Sequence, residues 1–366
     1  MDYIIIFFVV ILLIFIYEKN ILKSNKISLF FLIFSIFLLS IFAGGRGENI
    51  GTDIRFYVIQ EFSNNLTYFS FDDFVRYHVL ETGYEFLSFI VSRFSSDIHW
   101  VHFLNALCGL VGIYIGIYYF SRKYVISFCF CFCLYLLQKY NMSFNLIRQF
   151  IAVSLVFCSV PALLEKKYLL YFLISLIAFS FHRSAIITII LLTLYISLRY
   201  LLNNKLYFLF SIYMVVMIVC TYATPFIINF ALQNGILPSH FSDNLSSYSI
   251  ETGGIYLALS KLIPLILILL SFRKMNTDMK VLAIFCLISF LLSIVRMDFG
   301  AAGRLLYYFD IFFIVMIPVS IHLISSKKID RFILSLLSIL YYFLIWIYSY
   351  PISNYGETFP YEWTWN

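Results

Sequence analysis

Four short stretches of this chain set arginine, histidine or acid beside long apolar runs. In NMSFNLIRQFIA, residues 141–152, Arg148 falls about one turn inside an apolar helix, with Asn145 and Gln149 near it at helical spacing. An ionisable group at that depth is a candidate for function because a bilayer penalises it; snorkelling or an internal salt bridge is the structural alternative. In AFSFHRSAII, residues 178–187, His182 and Arg183 occupy a helix-to-helix turn in which Ser184 is suited to cap the second helix. Histidine takes up a proton near neutral pH, and the helix start with Arg183 favours an anion; hydrogen bonding inside a polar turn is the bland reading. VRMDFGAAGRLLYY, residues 295–308, clusters Arg296, Asp298, Arg304, Tyr307 and Tyr308 around small residues, with an Arg296–Asp298 pair as the structural option. AGGRGENIGTDIRFY, residues 43–57, adds Arg46, Asp53, Arg55 and Tyr57. Together these groups suit gripping an oxyanion and accepting a proton.

The elements that hold them are transmembrane. The 366 residues are 62% hydrophobic and only 12% charged, which excludes a soluble domain and predicts an all-α, polytopic helical bundle forming a single membrane domain over residues 1–366. Apolar runs predict about twelve spans, starting near Tyr3, Ile27, His99, Tyr124, Asn145, Tyr168, Ser184, Leu206, Tyr256, Met279, Arg304 and Arg331. The run at 84–94 is too short to cross and reads as an interfacial or re-entrant helix. Long extracytoplasmic loops at 44–83 and 224–254 are expected to carry short amphipathic helices.

Basic clusters between spans follow the positive-inside rule, so the net charge of +6 does not argue for a nucleic-acid partner. All lysines except Lys139 and Lys261 fall in the loops this assigns to the cytoplasm. Arg46, Arg55, Arg76, Arg93, Arg148, Arg183, Arg296 and Arg304 fall elsewhere. Arginine is the side chain that holds phosphate in two-pronged geometry, and topology alone does not account for its placement. Lys261, within a span, either neutralises a carboxylate or meets a lipid head group. The seven cysteines lie in apolar runs without a CxxC pair and read as packing residues, and His99 with His102 reads as a packed pair rather than a metal seat. The closing SNYGETFPYEWTWN, with Tyr361, suits the interface or stacking on sugar rings.

In that order, GRGENIGTDIRFY, NLIRQFIA, FSFHRSA, GRLLYY and GETFPYEW make the chain resemble the EpsG branch of the Wzy-type O-antigen and exopolysaccharide polymerases. The resemblance implies a GT-C-like glycosyltransferase of the bacterial inner membrane, with its active site facing the periplasm or exterior. It would join undecaprenyl diphosphate-linked oligosaccharide repeat units without metal or cofactor. Membrane lipids are partners, and a chain-length regulator is the further partner such a system allows. On this reading Arg148, Arg304, Arg296, Arg46 and Arg183 hold the donor diphosphate. His182 or Asp53 deprotonates the acceptor hydroxyl, and Asn145, Gln149, Tyr307 and Tyr361 contact substrate. A flippase for the same lipids and an O-antigen ligase are the rivals. A flippase fits less well because no internal repeat is evident and the charges gather at one leaflet.

Overall fold

The computed structural model describes all residues except 22, 78–79, 207–208, 210–252, 296–301 and 366. Among the described residues every regular element is helical, as the apolar runs require: in hydrocarbon a helix satisfies its own backbone. The longer helices are α1 (Asp2–Lys19), α2 (Asn25–Gly44), α3 (Ile59–Thr67), α4 (Phe71–Tyr77), α5 (Thr82–Ser92), α6 (His99–Tyr124), α7 (Phe128–Tyr135) and α8 (Ile147–Leu164). They continue as α9 (Tyr168–Phe181), α10 (Ile187–Asn203), α11 (Gly253–Ser271), α12 (Thr277–Val295), α13 (Ala302–Asp310), α14 (Phe313–Ile324) and α15 (Lys328–Ile347).

Eight segments among the described residues are long and apolar enough to cross a membrane, and they correspond to the expected spans starting near Ile27, His99, Asn145, Ser184, Tyr256, Met279, Arg304 and Arg331. Helix α9 is apolar but shorter, and the span expected from near Leu206 lies outside the described residues, as does most of the loop at 224–254. The expected short helices in 44–83 are α3 and α4. The 84–94 run lies mostly in α5, whose 11 residues rise only about 17 Å, too little for a bilayer core.

The chain divides into two compact units, Met1–Ile186 with Phe332–Asn366, and Ile187–Arg331. In the first, α6 packs on α2 and α8, α8 on α9, and α1 on α2. The span of α8 is 78% buried, so this helix is the axis of the unit and not a lipid-facing wall. Short α3 and α5 pack together, and α5 also leans on α6 and α9. The lysine and arginine loops after α1 (Lys19, Lys23), α6 (Arg122, Lys123) and α8 (Lys166, Lys167) fall at the helix ends away from Arg46, Arg148 and Arg183.

In the second unit α12 packs against α10, α11 and α13, and α11 against α14. Here Lys261 has the carboxylate its sequence position left open: its Nζ lies 3.0 Å from Asp310 Oδ1, with both side chains 5% exposed. Ser289 and Ser293 accept from the ammonium at 3.0 and 2.9 Å, and Ser289 donates to Asp310 at 3.2 Å. Such a pair costs little only when its remaining donors and acceptors are satisfied, and the two serines do that.

Candidate functional site

Residues 43–57 leave the membrane span of α2 and fold back onto the start of α8. Gly51, at φ +95°, makes the reversal, and a methyl group there would come within 2.7 Å of the Phe144 carbonyl. Thr52 then donates through its amide (2.7 Å) and hydroxyl (3.2 Å) to Asn145 Oδ1. Gly356, at φ +70°, presses on the same asparagine from the C-terminal segment. The expectation for Asn145 was substrate contact; the structure makes it the fastener of this reversal, and the two glycines serve close approach.

A single π-helical turn, Ile54–Val58, follows, and Asp53 and Tyr57 end up on one side of it. Such wide turns are costly and recur at functional sites. Tyr57 donates to Asp53 Oδ2 at 2.6 Å, and the Ile147 amide, at the start of α8, donates to the same oxygen at 3.2 Å. Asp53 Oδ1 has no hydrogen-bond partner among the described residues. Burial pushes the Asp53 carboxyl above its ordinary range, opposed by the Tyr57 hydroxyl, the Ile147 amide and the charge of Arg148. Burial, reinforced by Asp53, raises the Tyr57 phenol well above its usual value.

The next residue of α8 is Arg148. Its guanidinium lies over the Tyr57 ring, 4.3 Å from the centroid, and forms an ion pair with Glu81 at the foot of α5. Burial would push Glu81 up, but the Arg148 charge, backbone amides and His182 hold it below the usual carboxylate range. Glu81 also accepts from the Arg183 amide at 3.4 Å, which ties the α9–α10 turn to the start of α8. In that turn His182 is 9% exposed; its Nδ1 accepts from the Ser184 amide at 3.2 Å and lies 2.6 Å from the Ser184 hydroxyl. Ser184 therefore fixes the imidazole, and the imidazole in turn takes the Ser184 amide at the start of the helix. The Arg183 side chain is exposed.

The structure thus brings together Asp53, Tyr57, Asn145, Arg148, His182 and Arg183, all within the first unit. Gln149 is buried in α8 at 4% exposure. Tyr361 is packed as part of the wall: its ring stacks on Phe42, centroids 4.0 Å apart, and its hydroxyl donates to the Phe42 carbonyl. Arg46 is 3% exposed, with its guanidinium over Phe144. Arg304 and Tyr307 lie on α13 of the second unit, the first exposed and the second buried; Arg296 lies outside the described residues.

Sequence reading missed the acids. Glu81 and Glu85 stand four apart across the start of α5, a visible spacing, but their partners come from elsewhere in the chain. Glu85 is 1% exposed and takes the Leu80 amide at 2.5 Å. Across from it on α3, Glu61 is pushed up to about 7, first by burial and then by the hydrogen bond and charge of Glu85, with Arg148 pulling the other way. A carboxyl whose folded value is raised favours folding while it keeps its proton, and the gain is lost as pH rises through about 7. Thermal unfolding of the purified protein is therefore expected to shift down as pH rises from about 4.5, the ordinary carboxyl value, to about 7, and Glu61→Gln, which cannot ionise, is expected to flatten that fall. A wild-type profile already flat across this window would contradict the raised Glu61 carboxyl.

The model of the EpsG family matches residues 29–363. The chain belongs to the EpsG family. This is a family of Wzy-type polysaccharide polymerases, so the chain is a multi-pass membrane protein of a glycosyltransferase-like polymerase family. The match spans the candidate residues from Arg46 to Tyr361. No curated protein and no solved structure matches the chain.

Proposed function

We propose that this EpsG-family chain transfers a growing glycan from a polyprenyl diphosphate carrier to a hydroxyl of a lipid-linked repeat unit, on the outer side of the bacterial inner membrane. The observation that carries this reading is the Asp53–Tyr57–Arg148–Glu81 arrangement at one end of the first unit: an anchored guanidinium beside a part-buried carboxylate with one unbonded oxygen. The lysine loops at the opposite helix ends support the outward orientation.

In the step, the acceptor hydroxyl oxygen attacks the anomeric carbon of the donor sugar. The bond from that carbon to the diphosphate oxygen breaks, and its electron pair leaves with the lipid diphosphate. The hydroxyl proton passes to Asp53 Oδ1, whose raised affinity suits it as a base. Arg148, a fifth exposed, meets the charge developing on the leaving diphosphate, and Arg183 at the neighbouring turn is its second donor. Glu81 and the Tyr57 ring hold Arg148 at a fixed angle, so little reorganisation accompanies bond breaking. Direct displacement inverts the configuration. The clustering of charge at one end of the unit favours this over a flippase, in which charges gather near the bilayer midplane.

His182 is the second reading for the base, since Ser184 sets its orientation. The test is chain growth by purified variants supplied with lipid-linked repeat units. Asp53→Asn is expected to fall by about 10²–10⁴-fold and His182→Ala by much less. The reverse order assigns the proton to His182 instead, and full activity in both variants overturns the site.

A further inference from the structure

Behind Ile147, whose amide serves Asp53, the unit holds a cavity of about 20 Å³, lined among others by Arg46, His102, Asn105, Tyr140 and Ser143. Three of these side chains are buried and make no hydrogen bond to protein through the atoms concerned. They are Arg46 through Nε, His102 through both ring nitrogens and Asn105 through both amide atoms, at 3, 1 and 3% exposure. Tyr140 and Ser143 are already committed, to the carbonyls of Leu39 (2.7 Å) and Tyr140 (2.6 Å). No carboxylate lines the cavity, and Arg46 has no ion-pair partner among the described residues; its guanidinium only faces the Phe144 ring at 4.4 Å.

A buried guanidinium whose charged neighbour, Asp53, makes no ion pair with it and stands outside the cavity lining is expensive, and so are five unpartnered polar atoms around one void. We infer that the cavity is a binding site for one small monovalent anion of the halide class, chloride in the cell, accompanied by a water. Size favours a small ion, since the space open to water-sized particles is only about 20 Å³. Charge favours an anion over water alone, since water supplies hydrogen bonds but no ion pair to the guanidinium. Arg46 Nε, the Asn105 amide nitrogen and one imidazole N–H point their protons at the ion. The other imidazole nitrogen and the Asn105 carbonyl accept from the water.

This gives Arg46 a role distinct from holding the donor, makes His102 a ligand where sequence reading saw a packed pair, and adds Asn105, which sequence reading did not single out. The measurement is equilibrium binding of chloride-36 to the purified, detergent-solubilised protein, independent of any glycan reaction. One saturable chloride per chain is expected, competed by bromide but not by phosphate or gluconate. Arg46→Gln and Asn105→Leu are each expected to weaken binding at least tenfold; the second keeps the charge and fills the space, so it reads the site even if the first fails to fold. Absence of saturable binding, equal competition by phosphate, or binding unchanged in Asn105→Leu would overturn the proposal.

Discussion

Replacing Arg148 by lysine is expected to abolish long polysaccharide chains while the protein still accumulates in the membrane. Lysine keeps the charge and can still reach Glu81, so the ion pair that fixes α5 to the start of α8 survives as a single contact. What is lost is the planar fork and its stacking on the Tyr57 ring. Loss of one preorganised contact to a developing oxyanion costs on the order of 10²–10³-fold in rate, enough to reduce a processive polymer to short products. Glu81→Gln separates holding from acting: the guanidinium stays but is less firmly placed, and a smaller decrease is expected. Chain-length profiles from cells carrying each variant, read beside protein levels, check this. Full-length polysaccharide from Arg148→Lys would reject the assignment.

Asp310→Ala is expected to produce the largest loss of stability in the second unit, about 3–5 kcal/mol, because it removes the carboxylate that faces the buried Lys261 ammonium. The two serines can accept from the ammonium but cannot balance its charge. Lys261→Met combined with Asp310→Leu removes both charges and is expected to recover most of the stability, since a buried pair stabilises little relative to apolar side chains of similar volume. Asp310 closes α13, the helix that carries Arg304, so the single variant should also lower polymer output more than the double variant does. Thermal unfolding in detergent measures the first effect. A single variant as stable as wild type would mean that the ammonium finds another route to solvent.

Much of the fold was legible because hydrocarbon leaves few options: an apolar run of sufficient length becomes a helix, and eight expected spans stand where the runs begin. The short run in α5 was legible for the same reason, by its length. The candidate site was legible one side at a time. Arg148 stood out as a charge within an apolar helix, and Asp53 and Tyr57 as polar residues in a flexible exit from the membrane. Their meeting was not legible, because it depends on the Gly51 reversal and on Asn145 receiving Thr52 from 93 residues away. Glu81 was hidden among several acids of the 43–83 segment, where nothing local distinguishes the one that meets Arg148. Tyr361 shows the opposite limit: its aromatic ring reads equally as a sugar platform or as packing, and the Phe42 ring it stacks on lies 319 residues away, where no local signal points to it.

The most direct measurement is product formation by purified protein in liposomes containing only polyprenyl diphosphate-linked repeat units. Without nucleotide, acyl donor or ion gradient, the account predicts a ladder of polymer, one repeat per step, with one polyprenyl diphosphate released per bond formed. The ladder should be absent in Arg148→Lys and severely reduced in Asp53→Asn. Unchanged monomeric repeat units with wild-type protein, or movement of those units across the bilayer without any bond formed, would contradict it.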